Sequence, residues 1–250
     1  MNQPREIISL QHPLVKHFVR LHTNRDYRDD HQSVLIESKK LLQEVCVKYP
    51  TKVIMTTDLL NIPAGIKAEE VFLVTENIIH KVSGVLKPEG IIAEVAMPPS
   101  AILKGLKYLI ACDGINDPGN LGTILRTALA LGAEGAFIVN NSCDPFNDKA
   151  LRAAKGATFR LPIARGPWEQ LQKLIADNQL QPIAADISGV DLDTVKLKKK
   201  IILILGNEAH GLSAEAKDYL KVKIPMPGEM ESLNVAVAAG ICMYALQRKC

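Results

Sequence analysis

From residue 108 onward the chain alternates short, uninterrupted apolar runs with longer stretches of mixed character. Tyr108–Cys112, 136–139, 183–185 and Ile201–Leu205 are continuously apolar rather than alternating. Such runs predict strands covered on both faces, as in a parallel sheet. Helical spacing between them predicts helices over 121–131, Asp148–Ala154, 168–177 and 213–220, and the alanine- and valine-rich 232–249 predicts a closing helix. Strands alternating with helices imply an α/β fold whose parallel sheet carries helices on both faces.

The first hundred residues read differently. Lys52, Val71 and Gly90 open short strand-like runs, over 52–55, 71–74 and 90–95. Residues 32–45 carry apolar and charged positions at roughly helical spacing, beginning with the short apolar Val34-Leu35-Ile36. Pro98 and Pro99 fall in the stretch 96–105, where neither a helix nor a central strand can continue. The expected organisation is therefore a smaller α/β domain over 1–97 and a larger one over 105–250.

Composition narrows the class. The 250 residues are 47% hydrophobic and 23% charged, which excludes a mostly disordered chain. Aromatics are only 4%, with one tryptophan, Trp168, so a single-strand binder built on stacking platforms is disfavoured. The net charge of +3 points nowhere alone, but its distribution is uneven. Lys16, Arg20, Arg25 and Arg28, with His17 and His22, form a basic segment that a phosphate-contacting arm would need. Lys196, Lys198, Lys199 and Lys200 form a second run, for which a solvated face is the simpler explanation.

The five cysteines, Cys46, Cys112, Cys143, Cys242 and Cys250, are scattered and odd in number, so reduced thiols in a cytosolic protein are expected. No pair has metal-ligand spacing. The N-terminus lacks a signal-peptide core, and no apolar run approaches the roughly 20 residues of a membrane span. A soluble, cytoplasmic protein is the expectation.

Ligands of parallel α/β sheets sit in loops beyond the carboxyl ends of strands. Three such loops carry chemistry here. In the first, Asp113 to Asn120 leads into Leu121-Gly122-Thr123-Ile124-Leu125-Arg126, with Pro118-Gly119 as a turn and Asn120 placed to cap a helix. In the second, Gly206-Asn207-Glu208-Ala209-His210-Gly211-Leu212 follows the most apolar strand. Gly206 lets a ligand approach the backbone, and Glu208 presents a carboxylate to a cation or a sugar hydroxyl. In the third, Ile224-Pro225-Met226 reads as a strand end, followed by a loop with Glu231, Ser232 and Asn234 before the small-residue helix. The residues alone leave caps, turns and a surface arginine open as explanations. Glycine spacing does not match a dinucleotide fingerprint, and there is no phosphate loop, His-Glu-x-x-His or nucleophile elbow.

Together the three segments resemble the signature motifs of the SpoU branch of the SPOUT RNA methyltransferases. Asn120 with Arg126 is similar to the first motif, Gly206-Asn207-Glu208 with Gly211-Leu212 to the second, and Ile224-Pro225-Met226 with Ser232-Leu233-Asn234 to the third. The similarity spans about 105–248. More weakly, residues 34–42 resemble the family's small ribosomal-protein-like RNA-binding domain. Three departures are Ala209 for a frequent glycine, Ser38 for another, and Ala154-Lys155 for a small, uncharged pair.

The resemblance implies a deep trefoil knot, a homodimer and S-adenosylmethionine as cofactor, with no metal. It implies a cofactor pocket at Ala185, Gly206, Asn207, Glu208, Ile224, Met226 and Leu233. It implies methyl transfer to a ribose 2′-hydroxyl by Asn120, Arg126, Glu208, Ser232 and Asn234, with RNA held by Arg20, Arg25, Arg28 and Lys155. Arginine is a poor base, so Arg126 is expected to stabilise the forming alkoxide and grip a phosphate. Ribosomal RNA is the expected substrate. The alternatives are transfer RNA, a catalytically silent RNA-binding or assembly protein, and a small-molecule nucleotide enzyme.

Overall fold

The computed structural model describes residues 5–228 and 231–249. Cys250 lies outside them, as do residues 229 and 230 of the third loop. The chain divides into two compact units. One comprises residues up to Pro99 together with Phe146–Lys149, and the other Ser100–Pro145 with the chain from Ala150 onward.

In the first unit, β1 (Arg5–Ile7), α1 (Pro13–Thr23), α2 (Arg25–His31), β2 (Ser33–Ile36), α3 (Lys39–Val45), β3 (Thr51–Thr56), β4 (Ala68–Val74), α4 (Glu76–Val82) and β5 (Ile91–Ala96) follow in order. The sheet runs β1-β4-β3-β5-β2, with β1, β4 and β3 parallel and β5 antiparallel to both of its neighbours. Phe18, Leu21, Met55, Ile78, Ile79 and Ile92 pack its core.

Two expectations are corrected here. The basic segment is no arm. It forms α1 and α2, which bury Val15, Phe18 and Leu21. Asn24 joins them: its backbone N–H closes α1 on the Arg20 carbonyl, and its side chain accepts the Tyr27 N–H at 2.9 Å. The helix expected over 32–45 starts only at Lys39. Gln32 adopts a left-handed conformation that ends α2, and the four residues after it are a buried strand.

The second unit contains β6 (Tyr108–Cys112), α5 (Pro118–Ala130), β7 (Gly135–Val139), α6 (Asp148–Ala154), α7 (Ala157–Arg160), β8 (Ile163–Gly166), α8 (Trp168–Asn178), β9 (Gln181–Asp191), β10 (Ile201–Leu205), β11 (Leu220–Lys223) and α9 (Val235–Gln247). Its first α6 residues group with the other unit. All six strands are parallel, in the order β11-β9-β10-β6-β7-β8. Every residue of β6, β7 and β10 is buried, which explains their uninterrupted apolar runs. Successive side chains point to opposite faces. Ile110, Cys112 and Leu203 meet α5 and α9 through Leu121, Ile124, Leu125, Met243 and Leu246. Leu109, Ala111, Ile202 and Ile204 meet α8 through Trp168 and Leu171. Gly122 permits α5 to touch α6, since a Cβ there would lie 2.3 Å from the Ala150 carbonyl oxygen.

The short edge strands β8 and β11 fall outside the apolar-run pattern. In β11 only Val222 is buried, between two lysines, and Ile224-Pro225-Met226 follows it as irregular chain. The helix expected over 213–220 is a single tight turn at Ala214–Ala216. Among the described residues no helix is long and apolar enough to cross a membrane.

Candidate functional site

The sheet register aligns the carboxyl ends of β6 and β10 with the middle of β9, Leu205 standing opposite Cys112 on one side and Ala185 on the other. The polar loops leave from that common edge. Beyond Ala185 the β9–β11 ladder breaks, its partners jumping from Lys221↔Ala184 to Val222↔Val190. Ala185, Asp186 and Ile187, in the stretch this break leaves unpaired with β11, form one wall of a cavity of about 510 Å3. That lies within the roughly 300–1,000 Å3 of small-molecule sites. Gly206–Gly211, Ile224, Met226, Ser232, Leu233 and Cys242 complete the lining.

Gly206 is fixed by close approach: a Cβ would stand 2.7 Å from the Gly211 carbonyl carbon. Asn207 and Gly211 exchange both backbone hydrogen bonds, at 2.8 and 2.9 Å, pinching the loop between them. The Asn207 carbonyl oxygen of the side chain accepts the Ala209 and His210 N–H groups, and its amide donates to the Gly114 carbonyl at 2.7 Å. Asn207 therefore lines the cavity while its side chain organises the loop.

Glu208, Asn120 and Asn234 form a chain across the three loops. The Asn120 amide donates to Glu208 Oε1 at 2.8 Å, and the Asn234 amide donates to Asn120 Oδ1 at 3.1 Å. Asn234 also caps α9, its Oδ1 accepting the Ala236 and Val237 N–H groups. Asn120 is not the cap of α5. Asp117 takes that role, accepting the Asn120 N–H at 2.8 Å, so Pro118 and Gly119 lie in the first turn and the Asn120 side chain is free to reach Glu208.

The cavity takes in Ala185, Gly206, Asn207, Glu208, Ile224, Met226, Leu233 and Ser232. Arg126 stands apart from the asparagine chain. It is exposed on α5, and among the described residues nothing pairs with its guanidinium. Arg20 and Arg25 are at the surface of the first unit; Arg20 lies over the Tyr27 ring at 3.9 Å and Arg25 is 3.9 Å from Asp29. Arg28 is withdrawn from the candidate RNA contacts. It is 3% exposed, and its Nη1 donates to the Leu21 and His22 carbonyls at 2.6 and 3.0 Å. Lys155 is exposed, in a left-handed conformation after α6.

Sequence reading overlooked Asp113 and Asp186. Asp113 is 1% exposed. Its Oδ1 accepts from Asn141 Nδ2, Trp168 Nε1 and Ser213 Oγ, and its Oδ2 accepts the Ser213 N–H. These bonds tie the first loop to the second. Asp186 lines the cavity. The Ser188 hydroxyl, the Ser188 N–H and Lys221 hold its carboxyl below the usual range, against the opposing effect of burial. The Cys242 thiol on the cavity wall is pushed up to about 11 by burial. Burial, then the nearby Asp144 and Asp117 carboxylates, push Cys143 up to about 12. Both remain thiols at neutral pH, so neither is poised as a nucleophile. Among the described residues no three His, Cys, Asp or Glu side chains gather as metal ligands.

A cavity with an apolar wall at Ile224, Met226 and Leu233, carboxylates at Asp186 and Glu208 and the amine-bearing Lys223 suits an amphiphilic ligand. Comparison with known proteins matches residues 107–244 to the SpoU rRNA Methylase family. The 23S rRNA (guanosine(2553)-2′-O)-methyltransferase RlmP of Bacillus subtilis is 32% identical over 97% of this chain and 99% of its own. The crystal structure of an AdoMet-bound rRNA methyltransferase from Sinorhizobium meliloti has a TM-score of 0.87 at 31% identity, covering 99% of this chain and 98% of that one. The SpoU methyltransferase AviRb of Streptomyces viridochromogenes, in complex with AdoMet, has a TM-score of 0.86 at 22% identity over 96% of this chain and 98% of that one, a likeness of fold.

Proposed function

Because the chain belongs to the SpoU rRNA methylase family, we propose that it transfers a methyl group from S-adenosylmethionine to a ribose 2′-hydroxyl of ribosomal RNA. The observation that carries this reading is the Glu208–Asn120–Asn234 chain beside the cavity, which joins residues of all three motif loops.

The cavity suits the cofactor. Ile224, Met226 and Leu233 would hold the adenosine part, backbone groups from Gly206 to Glu208 its polar edge, and Asp186 and Glu208 would face the cationic part. When bound, S-adenosylmethionine supplies an electrophilic methyl group. The chain must then orient the ribose hydroxyl and ease loss of its proton. Glu208 and Asn120 position the ribose by hydrogen bonding, and Ser232 and Asn234 close the pocket. Arg126 cannot accept the proton, because a guanidinium carries five N–H donors and no acceptor. It stabilises the developing alkoxide and grips an RNA phosphate, to which the proton can pass.

The first unit is the RNA-binding domain in this reading, with Arg20 and Arg25 as phosphate contacts and Lys155 adding a third from the catalytic unit. The protein acts on RNA in the cytoplasm as a homodimer. In support of the dimer, Val237, Ile241 and Tyr244 lie exposed at helical spacing along α9, the last at 54%. The second unit is read as carrying the family's knot. The tie between the end of α9 and the β9–β10 crossover supports this, Lys249 Nζ donating to the Leu192 and Asp193 carbonyls at 2.6 and 2.7 Å.

The test compares the wild type with Arg126→Ala, using labelled S-adenosylmethionine and unmodified ribosomal RNA. Transfer by the wild type, no transfer by the variant and equal cofactor binding by both are expected. Lost cofactor affinity in the variant would contradict these roles.

A further inference from the structure

The run at Lys196–Lys200 has no part in the site described above, and its place in the fold is at the far end of the sheet. Lys107 immediately precedes β6 and Lys200 immediately precedes β10, and the register pairs Tyr108 with Ile201. The Ile201 N–H donates to the Lys107 carbonyl and the Gln181 N–H to the Lys200 carbonyl, so the two lysines stand on adjacent strands at the amino edge. Gln181 Oε1 accepts the Lys198 N–H at 2.7 Å, which fixes the run against the start of β9. Lys104 lies just before β6, exposed.

Lys104, Lys107, Lys198, Lys199 and Lys200 thus gather at one pole of the catalytic unit. Among the described residues none of the five makes an ion pair, and Lys200 Nζ reaches only the Asn178 carbonyl, at 3.3 Å. By contrast, Lys221 and Lys223, toward the cavity, are matched by Asp186 and Asp191. Of the carboxylates near the pole, Glu134 accepts the backbone N–H groups of Lys107 and Tyr108, and Asp177 is exposed near the end of α8. The lysines therefore keep a net positive charge that repels itself until an anion is supplied.

We infer that this pole is a second RNA contact, holding phosphates of a folded RNA whose target nucleotide sits at the opposite edge. The inference rests on the RNA-methylating reading and specifies its substrate as large. The five-residue strand β10 separates the two edges by about 16 Å at about 3.3 Å per residue. At about 3.4 Å per stacked nucleotide step, phosphates bound at the pole lie roughly five nucleotides from the target, or on another strand. A stacked dinucleotide or trinucleotide cannot occupy both places, whereas a folded ribosomal RNA domain can follow the flank of the unit.

The experiment measures binding of full-length protein to in vitro transcribed 23S rRNA and to a trinucleotide, too short to span both edges, across a salt series. The wild type is compared with the triple variant Lys107→Gln, Lys198→Gln, Lys199→Gln, with unchanged S-adenosylmethionine affinity and circular dichroism as the check on folding. Three lost phosphate contacts should flatten the plot of log K against log salt by about two to three for the long RNA and leave the short one unchanged. An unchanged slope on the long RNA overturns the inference while leaving the methylation reading intact. Equal losses on both RNAs also overturn it, placing the lysines near the target instead. Failure of the wild type to bind either RNA overturns the inference and the RNA substrate together.

Discussion

The amide of Asn120 donates to the carboxylate of Glu208 at 2.8 Å, across 88 positions of sequence. The same asparagine accepts from Asn234 at 3.1 Å. Asn120 thus joins the second loop to the third and sets the position of the carboxylate relative to the start of α9.

Removing that link should affect turnover more than cofactor affinity. A hydrogen bond to a charged group contributes about 1.5–3 kcal/mol when well made, less where water competes. Asn120→Ala should lower kcat at least about tenfold, about 1.4 kcal/mol in the barrier, with S-adenosylmethionine affinity within about twofold of wild type. Calorimetric titration and single-turnover transfer separate the two; a tenfold loss of affinity with kcat retained would show that Asn120 serves the pocket.

Gly206→Ala should act in the reverse sense. The added methyl would sit 2.7 Å from the Gly211 carbonyl carbon and force open the pinched Asn207–Gly211 loop. Overpacking of this kind costs about 1–3 kcal/mol, here in loop geometry. Cofactor affinity should fall at least about tenfold, with the urea midpoint lowered by no more than that cost. An unaltered affinity would mean that this loop does not shape the cofactor site.

Asp113 is a matter of stability. Asp113→Ala would leave the donors of Asn141, Trp168 and Ser213 without their acceptor in a site only 1% exposed. A loss of about 3–5 kcal/mol in urea unfolding is expected, with Asp113→Asn intermediate because it keeps one acceptor oxygen. A loss below 1 kcal/mol would show that these donors find water.

These results mark where the sequence was readable. The apolar runs of β6, β7 and β10 announced a parallel sheet because each is buried on both faces. The residues of the three loops were legible through their motif order, and the cavity gathers Gly206, Asn207 and Glu208 of the second with Ile224, Met226, Ser232 and Leu233 of the third. Asp113 was not legible, since its partner Ser213 is 100 positions away and nothing local distinguishes it from a strand-end aspartate. Asp186 owes its place in the cavity wall to a ladder break invisible in the run of residues. The buried Arg28 had the charge of its neighbours but not their exposure, which only the packing of α1 on α2 decides.

Thiol chemistry gives a pH signature. Burial raises Cys242 to about 11, so its thiolate forms only as pH climbs toward that value. At pH 8 a disulfide reagent should modify Cys242 at least about 100-fold more slowly than a free thiol near 8.5, with the rate rising tenfold per pH unit. Bound S-adenosylmethionine should slow it further, and Cys242→Ala should retain transfer. Fast labelling at pH 8, unaffected by the cofactor, would place Cys242 outside the occupied cavity.

The central claim is methyl transfer to a ribose hydroxyl, and alkaline hydrolysis reads it directly. Unmodified ribosomal RNA, and transfer RNA as a comparison, are incubated with the protein and methyl-labelled S-adenosylmethionine and then digested with alkali. A 2′-O-methyl ribose cannot assist cleavage of its own linkage, so the label should appear in an alkali-resistant dinucleotide from ribosomal RNA, and not with Arg126→Ala. Label released in mononucleotides would place the methyl on a base, and no label despite bound cofactor would contradict transfer to these RNAs.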